Sequence, residues 1–395
     1  MARFAFIVPP LTGHVNPTLG LGAVLLSRGH EVGWISLDAS LGERLPAGGQ
    51  LLLISYEEND EKKQQNAEYL DILSRKNVYG IDSVRFLYEE VLIPLNRHCY
   101  EGVRRWLRDF QPELVMTDHQ LFTGAVAAIQ EGIPYTTTVT APAAIKVMEE
   151  LPKVHEWEEK QVIALQQELG LSGDTSVACS PLLTMVLTSK AFFGEMELPE
   201  WYRFVGPVLH RRENTPSFDW EAFRRDTRPK ILVSIGTTFD HEYKKAFFAK
   251  VAEALAGADM RVVVASDADL LDTWPENFQV QRQVPQLELL PLLDMVVSHG
   301  GHNTVSETLT NGLPLVVIPI AYDQSHVAGR VVRVGAGVRL NYNRFKARHL
   351  REAVEEVLKH EHYREAAVRM RESFREAGGV SAAADLLEQI GQPIP

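Results

Sequence analysis

Residues 296–307 have the sequence Val-Val-Ser-His-Gly-Gly-His-Asn-Thr-Val-Ser-Glu. The first residues are apolar and predict a buried strand, the two glycines predict a tight turn, and the residues after them predict a helix. A strand joined to a helix by a short glycine turn is typical of an α/β domain with a parallel sheet. This segment therefore indicates a doubly wound fold for its half of the chain.

The same turn has the composition of an anion site. Gly300 and Gly301 leave room for a ligand to approach the backbone, and the helix start offers free N–H groups that suit a diphosphate. Asn303 and Thr304 add side-chain donors, and Glu307 lies one turn further on the same helix face, where it can accept from ribose hydroxyls. The alternative is an ordinary glycine connection followed by a capped helix and a solvated glutamate.

Strands alternating with helices are predicted along both halves of the chain, which favours two parallel sheets. A helix from about Asn16 to Ser27, capped by Asn16 with Pro17 in its first position, follows the first strand. We expect mainly helical structure from Asp60 to Asp109, one long helix at Glu149–Leu169, and helices from about Ala347 to Ile390. The predicted strands are Phe4–Val8, Val32–Leu37, Leu114–Thr117, Tyr135–Val139, Leu183–Leu187, Lys230–Ile235, Val262–Ala265, Val280–Gln281, Met295–Ser298 and Leu315–Ile318.

A charged segment near the middle of the chain, which contains Pro216, lacks a sustained apolar period and is interpreted as a linker. We predict an N-terminal Rossmann-like domain at 1–212, a linker at 213–228, a C-terminal Rossmann-like domain at 229–376 and a final helix at 377–395.

Polar residues follow several predicted strands, and ligands of open parallel sheets bind at that edge. His14, in a loop after the first strand, is a candidate general base, and Asp118 could orient it. Most single histidines are not catalytic, however, and Asp118 could be a turn acid. Ser234, Gly236 and Thr237 could contact phosphate or form an ordinary turn.

A second polar pair follows the strand that ends near Ile318. Asp323 and Gln324 combine an acid and an amide, which suits vicinal sugar hydroxyls, although Asp323 could equally cap a helix. Two opposed sheets would bring all these strand ends into one cleft.

The composition excludes several classes of protein. The chain has 395 residues and a net charge of -12 without a Lys/Arg stripe, so a nucleic-acid partner is not expected. Its two cysteines, Cys99 and Cys179, have no metal-ligand spacing, which favours a protein of the reducing cytoplasm without a metal. The apolar start is interpreted as a strand and not as a signal peptide. No apolar run reaches the roughly 18 residues of a membrane span.

Taken together, the motifs resemble the nucleotide-sugar signature of the family 1 glycosyltransferases. That family includes plant UDP-glycosyltransferases and bacterial macrolide and carotenoid glycosyltransferases. The resemblance covers nearly the whole chain and rests on the following residues, in the family's order: Gly13-His14, Ser234-x-Gly236-Thr237, Val284-Pro285-Gln286, His299-Gly300-Gly301-x-Asn303-Thr304-x-x-Glu307, Gly312-x-Pro314 and Asp323-Gln324.

The resemblance implies the GT-B fold, with two Rossmann-like domains that face each other across a cleft and a C-terminal helix that crosses back. It also implies an inverting, metal-independent transfer from UDP- or TDP-sugar, most simply UDP-glucose, to a polyketide, macrolide, phenolic or carotenoid hydroxyl. The implied roles are as follows: His14 as base, Asp118 as its partner, His299, Asn303, Thr304 and Thr237 at the diphosphate, Glu307 and Gln286 at the ribose, the Val284 backbone at the base, and Asp323 and Gln324 at the sugar.

The family often has a tryptophan before Val-Pro-Gln, where this chain has Gln283, so the choice between uridine and thymidine stays open. Apolar side chains of the N-terminal half that could meet an acceptor are Phe86, Phe122, Met148, Trp157 and Phe193, although each is more often part of a core.

Three alternatives remain at this point. A nucleotide-sugar epimerase of the same fold would not need His14 with Asp118, and a non-catalytic nucleotide-sugar-binding protein would show no turnover. A dinucleotide oxidoreductase is disfavoured, because Gly335-Ala336-Gly337 has Leu340 where its fingerprint requires a third glycine.

Overall fold

The computed structural model describes residues 1–56, 81–210, 216–236, 241–321 and 323–391. These residues form two compact units. The N-terminal unit contains 1–56, 81–210 and 376–391, and the C-terminal unit contains 216–236, 241–321 and 323–375.

The N-terminal unit is built on a seven-stranded parallel sheet with the order β3-β2-β1-β4-β5-β6-β7. Its strands are β1 (Arg3–Ile7), β2 (Glu31–Ser36), β3 (Gln50–Leu53), β4 (Leu114–Asp118), β5 (Tyr135–Val139), β6 (Thr184–Val186) and β7 (Tyr202–Phe204). Its helices are α1 (Thr12–Ser27), α2 (Ile81–Phe86), α3 (Ile93–Phe110), α4 (Thr123–Gln130), α5 (Ala143–Glu150), α6 (Pro152–Glu168) and α7 (Lys190–Phe193).

The C-terminal unit is built on a six-stranded parallel sheet with the order β10-β9-β8-β11-β12-β13. Its strands are β8 (Lys230–Ser234), β9 (Arg261–Ala265), β10 (Phe278–Gln281), β11 (Met295–Ser298), β12 (Leu315–Val317) and β13 (Gly337–Arg339). The helices that follow α7 are α8 (Trp220–Arg225), α9 (His241–Leu255), α10 (Gln286–Leu289), α11 (His302–Thr310), α12 (Gln324–Arg333), α13 (Ala347–Lys359), α14 (Glu361–Glu376) and α15 (Gly379–Gly391), of which α15 belongs to the N-terminal unit.

The central strands are buried on both faces, and β1, β8, β11 and β12 have nearly continuous apolar sequences, as strands of a covered parallel sheet do. In each sheet the chain order reverses once, between β1 and β4 in the first and between β8 and β11 in the second. The connections leave such a reversal point in opposite directions, so a crevice opens at the carboxyl ends of the two strands. Each unit therefore carries one natural ligand site, and the predicted doubly wound α/β class is confirmed.

The start of α1 differs from the prediction. The helix begins at Thr12, directly after Leu11, and not at Asn16. Gly13 and His14 therefore lie in its first turn and not in a loop, while Pro17 lies inside the helix. Asn16 does not cap the helix, because its side-chain oxygen accepts a hydrogen bond from Arg44 at 2.7 Å.

The long helix predicted at Glu149–Leu169 is present as α6, but it begins at Pro152 and not at Glu149. Glu149 and Glu150 end the preceding helix, α5, because Pro152 lacks a backbone N–H and its ring excludes a continuing turn. Three short strands at sheet edges, β3, β7 and β13, were not predicted from the sequence. Within the segment interpreted as a linker, Trp220–Arg225 forms α8, while residues 211–215 lie outside the described residues. Of the region predicted as mainly helical, 60–80 lie outside them too.

The last helix, α15, packs against α1 of the N-terminal unit. Ala383, Ala384 and Leu387 are fully buried in the same core as β1 and β2. Outside this apolar contact, Arg28 donates to Asp385 at 2.7 Å and also to Glu388. These ion pairs are exposed and contribute little, so burial of the three apolar side chains holds the helix in place.

None of the described helices combines the length and the apolar character that a bilayer-spanning segment needs.

We expect Gly22→Ala to destabilise the N-terminal unit, because α1 lies directly on Trp34. A Cβ at Gly22 would lie 2.3 Å from the Trp34 ring, which is fully buried and whose indole N–H donates to Thr18 at 2.9 Å. Overpacking of this kind costs about 1–3 kcal/mol, more than the gain of up to ~1 kcal/mol from helix propensity. Differential scanning calorimetry should show a lower transition temperature.

The matched control is Gly329→Ala, at a helical glycine in α12 where an added Cβ meets no atom within 4 Å. This variant should be as stable as the parent or more stable by up to ~1 kcal/mol. Equal transition temperatures for the two variants would contradict the close approach of α1 to Trp34.

Candidate active site

His14 and Asp118 meet at the reversal point of the N-terminal sheet. The first turn of α1 carries His14, and Asp118 is the last residue of β4. His14 Nδ1 lies 2.9 Å from Asp118 Oδ2. The hydroxyl of Thr140, just past the end of β5, lies 2.7 Å from His14 Nδ1 and donates to Asp118 Oδ2 at 2.8 Å. The structure thus brings together the two predicted residues and adds a third.

Asp118 is fully buried, yet it is held as a carboxylate. Burial raises the pKa of its carboxyl group, but the neighbouring imidazoles of His14 and His119 and the hydrogen bond with His14 lower it more, so that the net pKa lies well below its usual range. The backbone N–H of Gln120 donates to Oδ1 at 2.9 Å and stabilises the same charge. A carboxylate at Nδ1 fixes the His14 tautomer, with Nε2 as the atom that can accept a proton.

His14 is the exposed end of this arrangement. Its side chain is 13% exposed, whereas that of Asp118 is 0% exposed. Solvent or a ligand can therefore reach the imidazole while the carboxylate behind it stays dry. A general base supported by a buried acid has this geometry. Sequence reasoning missed Thr140, although its position after a strand was an available signal.

The glycine turn after β11 has the form that the sequence predicts. Gly300 has φ +90°, and a Cβ there would lie 2.8 Å from the Val317 side chain, so only glycine fits. Gly301 occupies the N-cap position of α11 and has no side chain to cover the first N–H groups. Asn303 and Thr304 lie in that first turn and are half-buried. The turn can therefore approach an anion with backbone donors.

His299 is a buried imidazole between two glycines. A Cβ at Gly301 would lie 2.6 Å from its Nε2, and one at Gly236 would lie 3.0 Å from the ring. Burial lowers the pKa of His299 from 6.5 to about 4, against a smaller opposite effect of its backbone hydrogen bond to Ser234. At neutral pH the ring is uncharged, so it can offer a hydrogen bond to a ligand but no positive charge. Thr237, predicted for the same place, lies outside the described residues.

The two residues predicted at the ribose lie together. Gln286, at the start of α10, donates from Nε2 to Glu307 Oε2 on α11. Val284 is buried, and its carbonyl accepts from the Gln286 N–H at 2.8 Å, which closes a tight turn. The hydrogen bond from the Gln286 side chain orients the Glu307 carboxylate. Glu307 lies on the same face of α11 as the first-turn donors Asn303 and Thr304.

The Asp-Gln pair stands at the start of α12. Asp323 is the N-cap residue, yet its side chain makes no capping hydrogen bond. Gln324 is buried, and its Oε1 accepts from the N–H groups of Ile320 and Ala321, both at 2.9 Å. Gln324 therefore braces the loop after β12, and its Nε2 is the group that can donate to a ligand.

The apolar candidates for an acceptor pocket differ in position. Phe122 and Phe193 are buried in hydrophobic clusters, as the core interpretation expects. Trp157 packs edge-on against Tyr88, with ring centroids 5.6 Å apart. Met148 is 39% exposed. Apolar contact with a ligand is open to Met148 and excluded for the two buried phenylalanines.

Known proteins resemble this chain over nearly its whole length. The family model described as erythromycin biosynthesis protein CIII-like, C-terminal domain, matches residues 249–378. The NDP-glycosyltransferase YjiC of Bacillus subtilis (strain 168) is 30% identical over 390 residues, which cover 96% of this chain and 95% of that protein. The uncharacterised UDP-glucosyltransferase YojK of the same organism is 30% identical, with 99% and 98% covered.

Among solved structures, CalG4, the calicheamicin glycosyltransferase, superposes with a TM-score of 0.78 at 26% identity and covers 100% of both chains. The chain belongs to the family 1 glycosyltransferases and has their GT-B fold.

We expect His299→Asn to flatten the acid dependence of stability. An unfolded histidine has a pKa of about 6.5. The folded His299 has a pKa of about 4, so between these values the unfolded state binds the extra proton and stability falls as the pH falls. This group alone removes about 2 kcal/mol between pH 7 and pH 4.5. Urea unfolding at the two pH values should show a correspondingly smaller loss in the variant.

The control is His362→Asn, at an exposed histidine of the same unit. Its stability should depend on pH as that of the parent does. If His299→Asn loses as much stability on acidification as this control does, the description of His299 as a buried, neutral imidazole is wrong.

Proposed function

We propose that this glycosyltransferase moves a hexose from a nucleoside diphosphate sugar, most simply UDP-glucose, to a hydroxyl of a small apolar acceptor. The transfer inverts the anomeric centre and needs no metal. The observation that carries the proposal is the 2.9 Å contact between His14 Nδ1 and the buried Asp118 carboxylate at the reversal point of the first sheet. This arrangement serves proton removal from a neutral hydroxyl, and an epimerase or a simple binding protein has no use for it.

On the acceptor side, the proton of the attacking hydroxyl passes to His14 Nε2. The acceptor oxygen forms a bond to the anomeric carbon, and the bond from that carbon to the diphosphate oxygen breaks from the opposite face. The electron pair leaves with the nucleoside diphosphate. The buried Asp118 stabilises the imidazolium that results. The Thr140 hydroxyl contacts both His14 and Asp118 and keeps the two side chains in position.

On the donor side, the N–H groups at the start of α11, with Asn303 and Thr304, hold the diphosphate and stabilise the charge that grows on it. The neutral His299 adds a hydrogen bond at this point. Glu307, oriented by Gln286, accepts from the ribose, and Asp323 with the Gln324 amide holds sugar hydroxyls. A fixed array of donors of this kind can take the place of a bound cation.

The substrates are proposed from the relatives' names. YojK is named a UDP-glucosyltransferase and CalG4 a calicheamicin glycosyltransferase, which supports a UDP-hexose donor and a natural-product acceptor. Gln283 is exposed where the family often has a base-stacking tryptophan, so TDP-sugars are tested in parallel.

Free thiols at Cys99 and Cys179 support a reducing, cytoplasmic location.

The test of the proposed function is product formation with EDTA present. The protein is incubated with UDP-glucose or TDP-glucose and a panel of phenolic, polyketide and carotenoid hydroxyl compounds, and masses are recorded. We expect hexose adducts on at least one acceptor and none without donor. Conversion of the donor without an acceptor would establish an epimerase instead. Binding of UDP or TDP without any turnover would establish a binding protein.

We expect His14→Ala to reduce turnover about 10²–10⁴-fold, the usual contribution of a general base. The dissociation constant for UDP, measured by calorimetry, should stay unchanged because the variant leaves the donor residues of the C-terminal unit intact. The control is His360→Ala. Because His360 is exposed, this variant should keep the parent's turnover. Full activity in His14→Ala would refute the assignment of the base.

A further inference from the structure

A second histidine lies beside the His14–Asp118 pair. His119 follows Asp118 directly in the chain, and its Nδ1 lies 3.4 Å from Asp118 Oδ1. Its ring is nearly parallel to that of His14, with an interplanar angle of 25° and 6.3 Å between the centroids. One carboxylate therefore stands between two imidazoles, each with its Nδ1 toward a different oxygen.

The surroundings of His119 call for an explanation. Its side chain is only 10% exposed, and neither ring nitrogen has a hydrogen-bond partner among the described residues. A buried polar group without a partner is costly and rare, and it often has a functional reason. The charged group nearest to its Nδ1 is the Asp118 carboxylate. At 3.4 Å the contact is longer than an ordinary hydrogen bond, but it is close enough for strong electrostatic attraction.

The two oxygens of Asp118 have different partners. Oδ2 interacts with His14 Nδ1 and accepts from Thr140, and Oδ1 accepts from the Gln120 N–H and faces His119. A carboxylate has one unit of charge to share. Each donor drawn toward Oδ1 therefore weakens the support that the same carboxylate gives to a protonated His14.

We propose that His119 is a positioning residue whose neutral Nδ1–H shares the Asp118 carboxylate with His14 and thereby lowers the basicity of His14. The buried Nε2 of His119 favours this neutral tautomer, because a second N–H there would be left without an acceptor. The consequence is that less of the carboxylate's charge is available to stabilise a protonated His14. This catalytic meaning rests on the proposed function, whereas the coupling of the two rings does not.

The other ionisable groups around this cluster do not compete. Among the described residues, His14 from α1 and His119 itself are the groups whose charges act on Asp118. Cys179, from the segment between α6 and β6, also senses the carboxylate, but burial raises the pKa of its thiol to about 11 and it is uncharged near neutral pH. Any change of His14 titration in a His119 variant can therefore be attributed to the shared carboxylate.

The experiment is an NMR titration of the full-length protein with ¹⁵N-labelled histidine, in the parent, His119→Leu and His119→Asn. Leucine removes the donor, and asparagine keeps an N–H near the position of Nδ1. In the parent, we expect the ¹⁵N shifts of His119 to show the Nδ1–H tautomer. In His119→Leu, His14 is the only imidazole of the described residues that interacts with the Asp118 carboxylate. The midpoint of the His14 titration should therefore rise by about one pH unit, equivalent to 1.36 kcal/mol. In His119→Asn it should return close to the parent value.

Activity gives the second readout. If His14 is the base, the acid limb of kcat/KM should move with its midpoint, so His119→Leu should lose up to about tenfold at pH 6 and little at pH 9. A purely structural role for His119 would lower the rate equally at all pH values. An Nε2–H tautomer in the parent, or one His14 midpoint in all three proteins, would overturn the proposal.

The two proposals fail in different ways. The titration needs no turnover, so it decides the role of His119 even in a protein that transfers no sugar. A shifted midpoint with an unmoved pH–rate profile would keep His119 as a partner of the carboxylate and reject His14 as the base. If His119→Leu does not fold, the parent tautomer still decides the question, because an Nε2–H form would overturn the proposal.

Discussion

The buried carboxylate of Asp118 is the constraint on which the N-terminal site depends. A charge with no exposure to water is tolerated only if donors surround it, and here they come from the start of α1, the end of β5 and the chain after β4. These elements cannot shift independently without leaving the charge unmatched. The need to satisfy one side chain thus fixes the position of His14 more firmly than a helix start would by itself.

The donor site that we propose in the C-terminal unit has the opposite problem, since a diphosphate would bring charge to it. Its donors are backbone N–H groups at a helix start, two first-turn side chains and an imidazole that burial keeps neutral. Dipoles of this kind match a diphosphate without first neutralising each other. In a chain with a net charge of -12, anion binding therefore depends on local geometry and not on overall charge.

The sequence predicted the fold class and most strands because both depend on local patterns. Apolar runs between turns marked the buried strands, and Gly300 with Gly301 marked the turn that only glycine can form. The failures have physical causes. Edge strands of three or four residues carry too little pattern, and Pro152 permits a new helix as readily as it ends an old one. Thr140 and His119 were missed because their importance comes from neighbours distant in sequence or from burial.

The core of the N-terminal unit is assembled from segments that lie far apart in the chain. Its first strand precedes the C-terminal unit in the chain, whereas Ala383, Ala384 and Leu387, which complete that core, follow that unit. Until α15 is synthesised, the part of this core that Ala383, Ala384 and Leu387 cover stays open. The core of the N-terminal unit can therefore be completed only after the chain of the C-terminal unit has been synthesised. Maturation of the His14 site therefore depends on α15, a helix that is synthesised after the C-terminal unit.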